Sequence, residues 1–323
     1  MKLNLRLFIT TLVLLFFFKG QTQITVSNVT ELEKIKSGIT YVAMNDPKYK
    51  KNKDFIEIFK KYWTFSRVEF IKYTDIENYF SPENSFITIS GYETNVSLYS
   101  LYSDGSRSGG IDYAHTHIYL ELWNCTDKYL KNEKKKELKR KDKNQIIRLE
   151  LFTDFPTLLS PENLYKTDYD GDNHIRNWGK GFLQNYIQNM VQLLNNKVER
   201  KLFNQILKKE ELKKLSTSTL YIPDYALTKF NSFTGDESKK HDEKEIMEDY
   251  KLPYKIITTN ELNDKILNDK TGFYYLQYVK SSTDKFISVI NSATGEEIYT
   301  NYHPVSYNIK SGDLKTLAKE IQK

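Results

Sequence analysis

Glu211-Leu212-Lys213-Lys214-Leu215, followed by Tyr221-Ile222, repeats a pattern that the chain already carries near its start. Glu31-Leu32-Glu33-Lys34-Ile35 precedes Tyr41-Val42 at the same spacing. Internal repetition indicates the architecture of a chain before its chemistry is known. The sequence therefore predicts two related halves.

Three further pairs of segments extend the repeat: Glu245-Ile246 with Glu57-Ile58, Asn260-Glu261-Leu262 with Thr74-Asp75-Ile76, and Gly272-Phe273-Tyr274 with Ser85-Phe86-Ile87. In both halves, apolar helical faces alternate with short β-branched and aromatic runs, which favours a partly parallel sheet covered by helices. We predict an α/β fold with a mixed sheet, built from two βαβαβ(β) units. A thioredoxin-like topology also has this order, but the single cysteine, Cys125, excludes the Cys-x-x-Cys pair of a redox site.

Several elements are predicted outside the matched segments. His115–Trp123 and Gln145–Phe152 are predicted to be strands that pair as a hairpin with a long loop, and Val96–Tyr102 is predicted to be a separate strand. Apolar residues from Phe182 to Leu194 recur at helical spacing and predict the strongest amphipathic helix of the chain. A polar helix is predicted over Val198–Leu215.

The first twenty residues have the features of a secretory signal peptide. Lys2 and Arg6 precede Leu7–Phe18, which is apolar except for two threonines, and a polar stretch begins at Gln21. The apolar run is shorter than the roughly 20 residues that a membrane span needs. We therefore expect export to the periplasm or the extracellular space, with no transmembrane anchor after leader cleavage. An uncleaved anchor is the alternative, because Phe18 and Lys19 make the cleavage site imperfect.

These features divide the chain into four parts. Residues 1–20 form the leader, and residues 21–125 form the first α/β unit. Residues 126–210 add a basic hairpin tip, a strand, a connector and the amphipathic helix. Residues 211–323 form the second α/β unit.

The formal net charge of +6 is concentrated in one segment. Asp127–Lys143 contains nine Lys or Arg residues against four Asp or Glu residues, with Tyr129 as its only aromatic residue. A cluster of this kind attracts anionic partners, although a solvated loop often has the same composition. With so few aromatic side chains for base stacking, no nucleic-acid partner is expected. The candidate contact residues are Lys134, Lys135, Lys136, Lys139, Arg140 and Lys141.

Two histidines and an aspartate form the first candidate metal site. His115 and His117 would share one face of a strand, because side chains alternate along a strand, and Asp112 is close in sequence. Imidazole and carboxylate groups are zinc ligands, but the sequence does not identify the remaining ligands of such a site. A pair of surface or hydrogen-bonded histidines is the alternative.

An acidic loop forms the second candidate. Asp168, Asp170 and Asp172 alternate as the oxygen ligands of a calcium loop do. Asn173 stands where such a loop needs glycine, and Gly179 stands where it needs a bidentate glutamate, so a solvated acidic loop is the alternative. No cofactor is expected, and calcium or zinc are the cations that these two groups could hold.

The chain lacks a complete catalytic motif. Its composition, rich in Lys, Asn and Tyr, resembles that of envelope proteins of bacteria with AT-rich genomes, a resemblance that implies no site residues. We expect an exported bacterial protein that is a non-enzymatic binding or scaffold protein of the cell envelope. Its partner would be an anionic envelope component or another envelope protein. The alternative is a metal-assisted hydrolase that uses Asp112, His115 and His117 or the Asp168–Asp172 loop.

Overall fold

A computed structural model of the chain describes residues 22–98, 102, 104–106, 111–132, 137–165, 174–201, 205–232 and 234–323, without the side chains of residues 92–98, 111–115 and 161–162. These residues form two mixed sheets and the helices that cover them. The predicted mixed α/β fold class is therefore confirmed. The thioredoxin-like topology and the division of the chain into four parts stay predictions.

The first sheet has six strands in the order β1-β6-β5-β4-β2-β3. Numbered along the chain, they are β1 Ile24–Val26, β2 Ile39–Met44, β3 Arg67–Lys72, β4 Asn84–Leu98, β5 Ile111–Cys125 and β6 Lys143–Glu150. Strand β2 runs parallel to both β3 and β4. The neighbours β4, β5, β6 and β1 are antiparallel to one another.

The second sheet has five strands in the order β10-β7-β11-β12-β13, and a separate two-stranded ribbon pairs β8 with β9. The bounds are β7 Leu220–Pro223, β8 Thr228–Lys229, β9 Lys239–Lys240, β10 Tyr254–Ile257, β11 Tyr274–Ser281, β12 Asp284–Asn291 and β13 Glu296–His303. Strand β7 runs parallel to β10 and β11, and β11, β12 and β13 are antiparallel neighbours. The second sheet thus repeats the strand order and directions of the first, without a counterpart of β1.

The helices follow the same repetition. They are α1 Leu32–Ser37, α2 Lys53–Tyr62, α3 Asp127–Leu130, α4 Phe155–Leu159, α5 Lys180–Asn195, α6 Lys209–Lys213, α7 Glu243–Ile246, α8 Thr259–Asn268 and α9 Ser311–Gln322. Helices α1 and α6 precede the equivalent strands β2 and β7, α2 and α7 follow these strands, and α5 and α9 follow the last antiparallel strand of each half. In the place of α8, the first half has the 3-10 helix Tyr73–Tyr79.

Strand register aligns the halves residue by residue. Tyr41 on β2 pairs with Phe86 on β4, and Tyr221 on β7 pairs with Tyr275 on β11. Phe86 therefore corresponds to Tyr275, two residues beyond the Phe273 that the sequence pattern matched with it. The difference arises because the two connections that lead into β4 and β11 differ in length.

Helix α5 connects the halves, since it packs against α2 of the first half and α8 of the second. Twelve of its 16 residues are buried, so the predicted amphipathic helix is confirmed but is covered on more than one face. The Asn263 side chain on α8 accepts hydrogen bonds from the backbone N–H groups of Gly181 and Phe182, at 2.9 and 3.1 Å. These bonds satisfy donors at the start of α5 that have no partner within the helix.

Two predicted elements differ from the structure. In the described part of Val198–Leu215, the predicted helix is present only as α6 and the 3-10 turn after it, and Ile206 and Leu207 lie extended against β13. The N–H of Thr300 donates to the Ile206 carbonyl oxygen at 3.0 Å, so tertiary pairing outweighs helix propensity here. Val96–Leu98 continue β4 instead of starting a separate strand.

In the part of the chain that the structure describes, no helix combines the length and the apolar character needed to cross a membrane.

Candidate functional site

The basic segment, residues 127–142, connects β5 to β6, which confirms the predicted hairpin pairing. Lys134, Lys135 and Lys136 lie outside the described residues. The described cations of the segment are all exposed: Lys128, Lys131, Lys139, Arg140 and Lys141. All three predicted anion-contact residues that can be located, Lys139, Arg140 and Lys141, are therefore exposed to solvent on one connection.

The base of the basic segment is anchored to the first sheet. The backbone N–H of Thr126 donates to the Asp142 carbonyl oxygen at 2.9 Å, which joins the two ends of the segment. Between them, the buried Tyr129 ring packs edge-on against Phe80, with 5.9 Å between centroids. Leu138 packs on the same small apolar cluster. The cations are consequently carried on a fixed base.

Lys143, the last cation of the stretch, has a different role. Its Nζ lies 2.8 Å from Oε1 of the buried Glu121 and 4.2 Å from the centroid of the Trp123 ring. Gln145 Nε2 donates to the other carboxylate oxygen at 2.6 Å. A buried carboxylate is stable only when it is paired and hydrogen-bonded, so Lys143 stabilises the fold beneath the basic segment.

The structure places the histidine group on β5, where Asp112 is opposite Ser97, His115 opposite Thr94 and His117 opposite Tyr92. The side chains of Asp112 and His115 lie outside the described residues. Asp168, Asp170 and Asp172 lie wholly outside them. Within the described ranges no group of three potential ligands is close enough to hold a metal ion, and both predicted cation sites stay predictions.

His117 lies at the contact between the two sheets. Its Nδ1 is 3.1 Å from Oγ of the buried Ser281, and that hydroxyl donates to Glu150 Oε2 at 2.6 Å. A catalytic relay places histidine between serine and carboxylate, whereas here the serine stands between the other two. The contacts therefore resemble a polar junction between sheets more than a nucleophilic site.

A cleft that the sequence analysis missed lies beyond the carboxyl ends of β7 and β10. It has a volume of about 380 Å³. Six of its lining residues are Arg176, Trp178, Asp224, Lys240, Thr258 and Thr259. The polar residues Asp224 and Thr258 directly follow β7 and β10, and ligands of open α/β sheets bind at that edge.

Asp224 organises the wall of the cleft. Its Oδ1 accepts hydrogen bonds from the N–H and the hydroxyl of Thr259, both at 3.1 Å, and its Oδ2 lies 3.0 Å from Lys240 Nζ. Burial raises the pKa of Asp224, but Lys240 and the Thr259 hydrogen bonds outweigh that effect and hold the pKa below its ordinary value. Asp224 is therefore an ionised carboxylate whose charge is already compensated.

A buried lysine lies behind Arg176. Glu237 contacts Arg176 Nη2 at 3.5 Å and Lys280 Nζ at 2.7 Å. Lys280 is only 1% exposed, and its Nζ lies 3.4 Å from the centroid of the Phe230 ring. Burial lowers the pKa of Lys280, and the charge of Glu237 opposes that effect. The shorter distance shows that Glu237 is mainly the ion-pair partner of Lys280.

The corresponding position in the first half is closed by aromatic rings. Tyr41 pairs with Glu69 and Tyr221 with Lys255, so Tyr73 and Thr259, each four residues later, are equivalent. The Tyr73 ring stacks on Tyr165 with 3.8 Å between centroids and an interplanar angle of 11°. The first half thus has a stacked ring at the position where the second half has Thr259, a small side chain that lines the cleft.

No family model, no curated protein and no solved structure matches the chain.

Proposed function

We propose that the protein is exported and acts as a non-enzymatic binding protein of the cell envelope, which holds an anionic envelope component through the basic segment. The observation that carries the proposal is the exposure of Lys128, Lys131, Lys139, Arg140 and Lys141 on one anchored connection. Lys2, Arg6 and the apolar run Leu7–Phe18 support export.

Electrostatics explain how such a segment would bind. Each Lys or Arg near an anionic lipid surface contributes about 1 kcal/mol, and the attraction falls off within a Debye length of about 10 Å at 0.1 M salt. Several cations on a fixed base act together on one surface. Binding should therefore be strong at low salt and weaken steeply as salt is added.

The test is sedimentation with vesicles that contain phosphatidylglycerol or only phosphatidylcholine. Replacement of Lys139, Arg140 and Lys141 by Gln should weaken retention on the anionic vesicles by about 100-fold, because three contributions of about 1 kcal/mol are lost. Extending the change to Lys134, Lys135 and Lys136 should abolish retention. Neutral vesicles should retain neither the wild type nor the variants.

A matched control separates the basic segment from net charge. Lys48, Lys50 and Lys53 are also exposed, and their replacement by Gln removes the same charge from another surface. We expect that variant to bind anionic vesicles almost as the wild type does. Equal loss in the two triple variants, or unchanged retention in the Lys139, Arg140 and Lys141 variant, would count against the proposal.

Export is tested separately by sequencing the amino terminus of protein recovered outside the cytoplasm. The proposal expects the mature chain to begin near Gln21, and recovery of the intact leader would contradict it.

The metal-assisted hydrolase stays a prediction. Elemental analysis of protein purified without chelators tests it, because stoichiometric zinc or calcium would favour a site at Asp112, His115 and His117 or in the Asp168–Asp172 loop.

A further inference from the structure

We infer that the cleft beyond β7 and β10 is a binding site for a small organic anion that carries a carboxylate or a phosphate group. This site is separate from the basic segment and serves a soluble ligand instead of a surface. Its volume of about 380 Å³ lies within the range of sites for small molecules, roughly 300–1,000 Å³.

The position of the cleft in the fold is the first argument. Strand β7 has β10 on one side and β11 on the other, and both are parallel to it. After β7 the chain forms β10 on one side of β7, and it then crosses to the other side of β7 to form β11. Such a reversal opens a crevice at the carboxyl ends of the strands, where α/β proteins bind ligands. Asp224 and Thr258, each directly after a strand, line this crevice.

The charges in the cleft favour an anion. Asp224 is already bonded to Lys240 and Thr259, so it offers little to a cationic ligand. Arg176 has a single long ion-pair contact of 3.5 Å with Glu237, and its Nε has no hydrogen-bond partner among the described residues. A guanidinium group matches the geometry of carboxylates and phosphates. Arg176 is consequently the expected anchor for the ligand, with Lys240 beside it.

The frame of the cleft is rigid enough to hold this arrangement. The Asn263 side chain donates to the Thr259 carbonyl oxygen at 2.9 Å and to that of Trp178 at 3.4 Å. The same side chain fixes the start of α5. Two walls of the cleft, from different halves of the chain, are therefore joined through one amide, and a site formed in this way loses little entropy when a ligand binds.

The first half provides an internal comparison, because it has the same strand arrangement. Tyr73 stands at the position of Thr259, and its ring stacks on that of Tyr165. The second half has the small side chain of Thr259 in place of this ring, and Thr259 lines the cleft.

The test is isothermal titration of the whole purified protein with inorganic phosphate and with succinate, and with glucose as an uncharged probe. We expect saturable binding of phosphate or succinate and no binding of glucose. The anion that binds more tightly shows whether the site prefers a phosphate or a carboxylate group. Arg176→Gln should weaken binding about tenfold, the usual scale for losing a charge-assisted contact. Lys240→Gln should weaken it less, and Lys239→Gln, on the same ribbon but outside the cleft, should leave it unchanged.

Thr259→Tyr installs the side chain of the first half and should abolish binding by occupying the cleft. Thermal unfolding of each variant shows whether it is folded. If Thr259→Tyr does not fold, Arg176→Gln still tests the inference, because Arg176 lies at a half-buried surface position. The Lys139, Arg140 and Lys141 variant should bind the small anion normally, which separates this site from the basic segment. Failure of both anions to bind, binding of glucose, or wild-type affinity in Arg176→Gln would overturn the inference.

Discussion

The two halves of the chain share a strand order and differ at the edge where their parallel strands end. In the first half Tyr73 stacks on Tyr165 at this edge, whereas in the second half Thr259, at the position of Tyr73, lines a cleft together with Arg176 and Lys240. The repeated features are therefore apolar patterns and helix positions, and the chemistry lies in side chains that are not repeated. Comparison of the halves shows which polar groups the fold does not need.

A second difference lies inside the sheets. Phe86 pairs with Trp123 in the first half and the equivalent Tyr275 pairs with Ile290, so Ile118 and Lys285, each five residues earlier, are equivalent. Both positions are buried. The second half thus carries a lysine where the first half has an apolar side chain, and Lys285 Nζ lies 2.5 Å from Asp313 Oδ2 on α9.

Removing the partner of this buried lysine should have the largest effect on stability. Asp313→Asn removes the negative charge and leaves the Lys285 ammonium buried among uncharged acceptors such as the Asn308 carbonyl oxygen, at 2.8 Å. Loss of one member of a buried ion pair costs about 3–5 kcal/mol, which chemical denaturation would measure. Lys285→Met together with Asp313→Asn should restore most of that stability, because the second half then has an apolar side chain like Ile118. A double variant as unstable as Asp313→Asn would refute this explanation.

The same pair predicts a dependence on pH. Burial raises the pKa of Asp313, but the contact with His303 and the charge of Lys285 outweigh that effect and hold the pKa below its ordinary value. A lowered carboxyl pKa contributes stability that is complete above the unfolded pKa of about 3.9 and is lost as the pH falls through the folded pKa. Urea unfolding of the wild type should therefore show this loss below about pH 4, and Asp313→Asn should lack that component. Parallel pH profiles for the two proteins would contradict the assignment.

Two equivalent glycines offer the next comparison, since Gly181 and Gly312 are each the second residue of a helix, α5 or α9. A Cβ at Gly181 would lie 2.5 Å from the backbone oxygen of Asn263, whereas a Cβ at Gly312 would meet no atom within 4 Å. Gly181→Ala should therefore destabilise the protein by about 1–3 kcal/mol through overpacking. Gly312→Ala should stabilise it by about 0.5 kcal/mol, because alanine restricts the unfolded chain. Equal unfolding midpoints would show that α5 and α8 can separate without cost.

The sequence predicted the fold class because apolar periodicity decides which segments are helices and strands. Glu31–Ile35 and Glu211–Leu215 both contribute short helical segments with two buried apolar residues, as the repeat indicates. The sequence repeat matched Phe86 with Phe273 instead of Tyr275, because strand register depends on backbone pairing and a local sequence pattern does not contain that information.

The cleft was not predicted because its residues come from distant parts of the chain. Arg176 follows the acidic loop, Asp224 follows β7, and Thr258 follows β10. The pairing of β7 with β10 brings Asp224 and Thr258 together, and the packing of α5 against α8 adds Arg176. A single sequence does not show which helices will pack. Exposure of Lys139, Arg140 and Lys141 could be anticipated, because charged runs are usually solvated.

The hydroxyl of Tyr165 provides the smallest and most local test of the closed edge. It accepts a hydrogen bond from the N–H of Ile89 and donates one to the Ile89 carbonyl oxygen, both at 2.6 Å, beyond the point where β2 stops pairing with β4. Tyr165→Phe keeps the ring on Tyr73 but leaves both backbone groups without that partner, which should cost about 1 kcal/mol in unfolding free energy. Tyr73→Thr, which installs the second-half residue at a position 38% exposed, should cost less than that. If Tyr73→Thr were the more damaging change, the ring stack and not the hydroxyl would hold the edge closed, and the contrast with Thr259 would be one of packing alone.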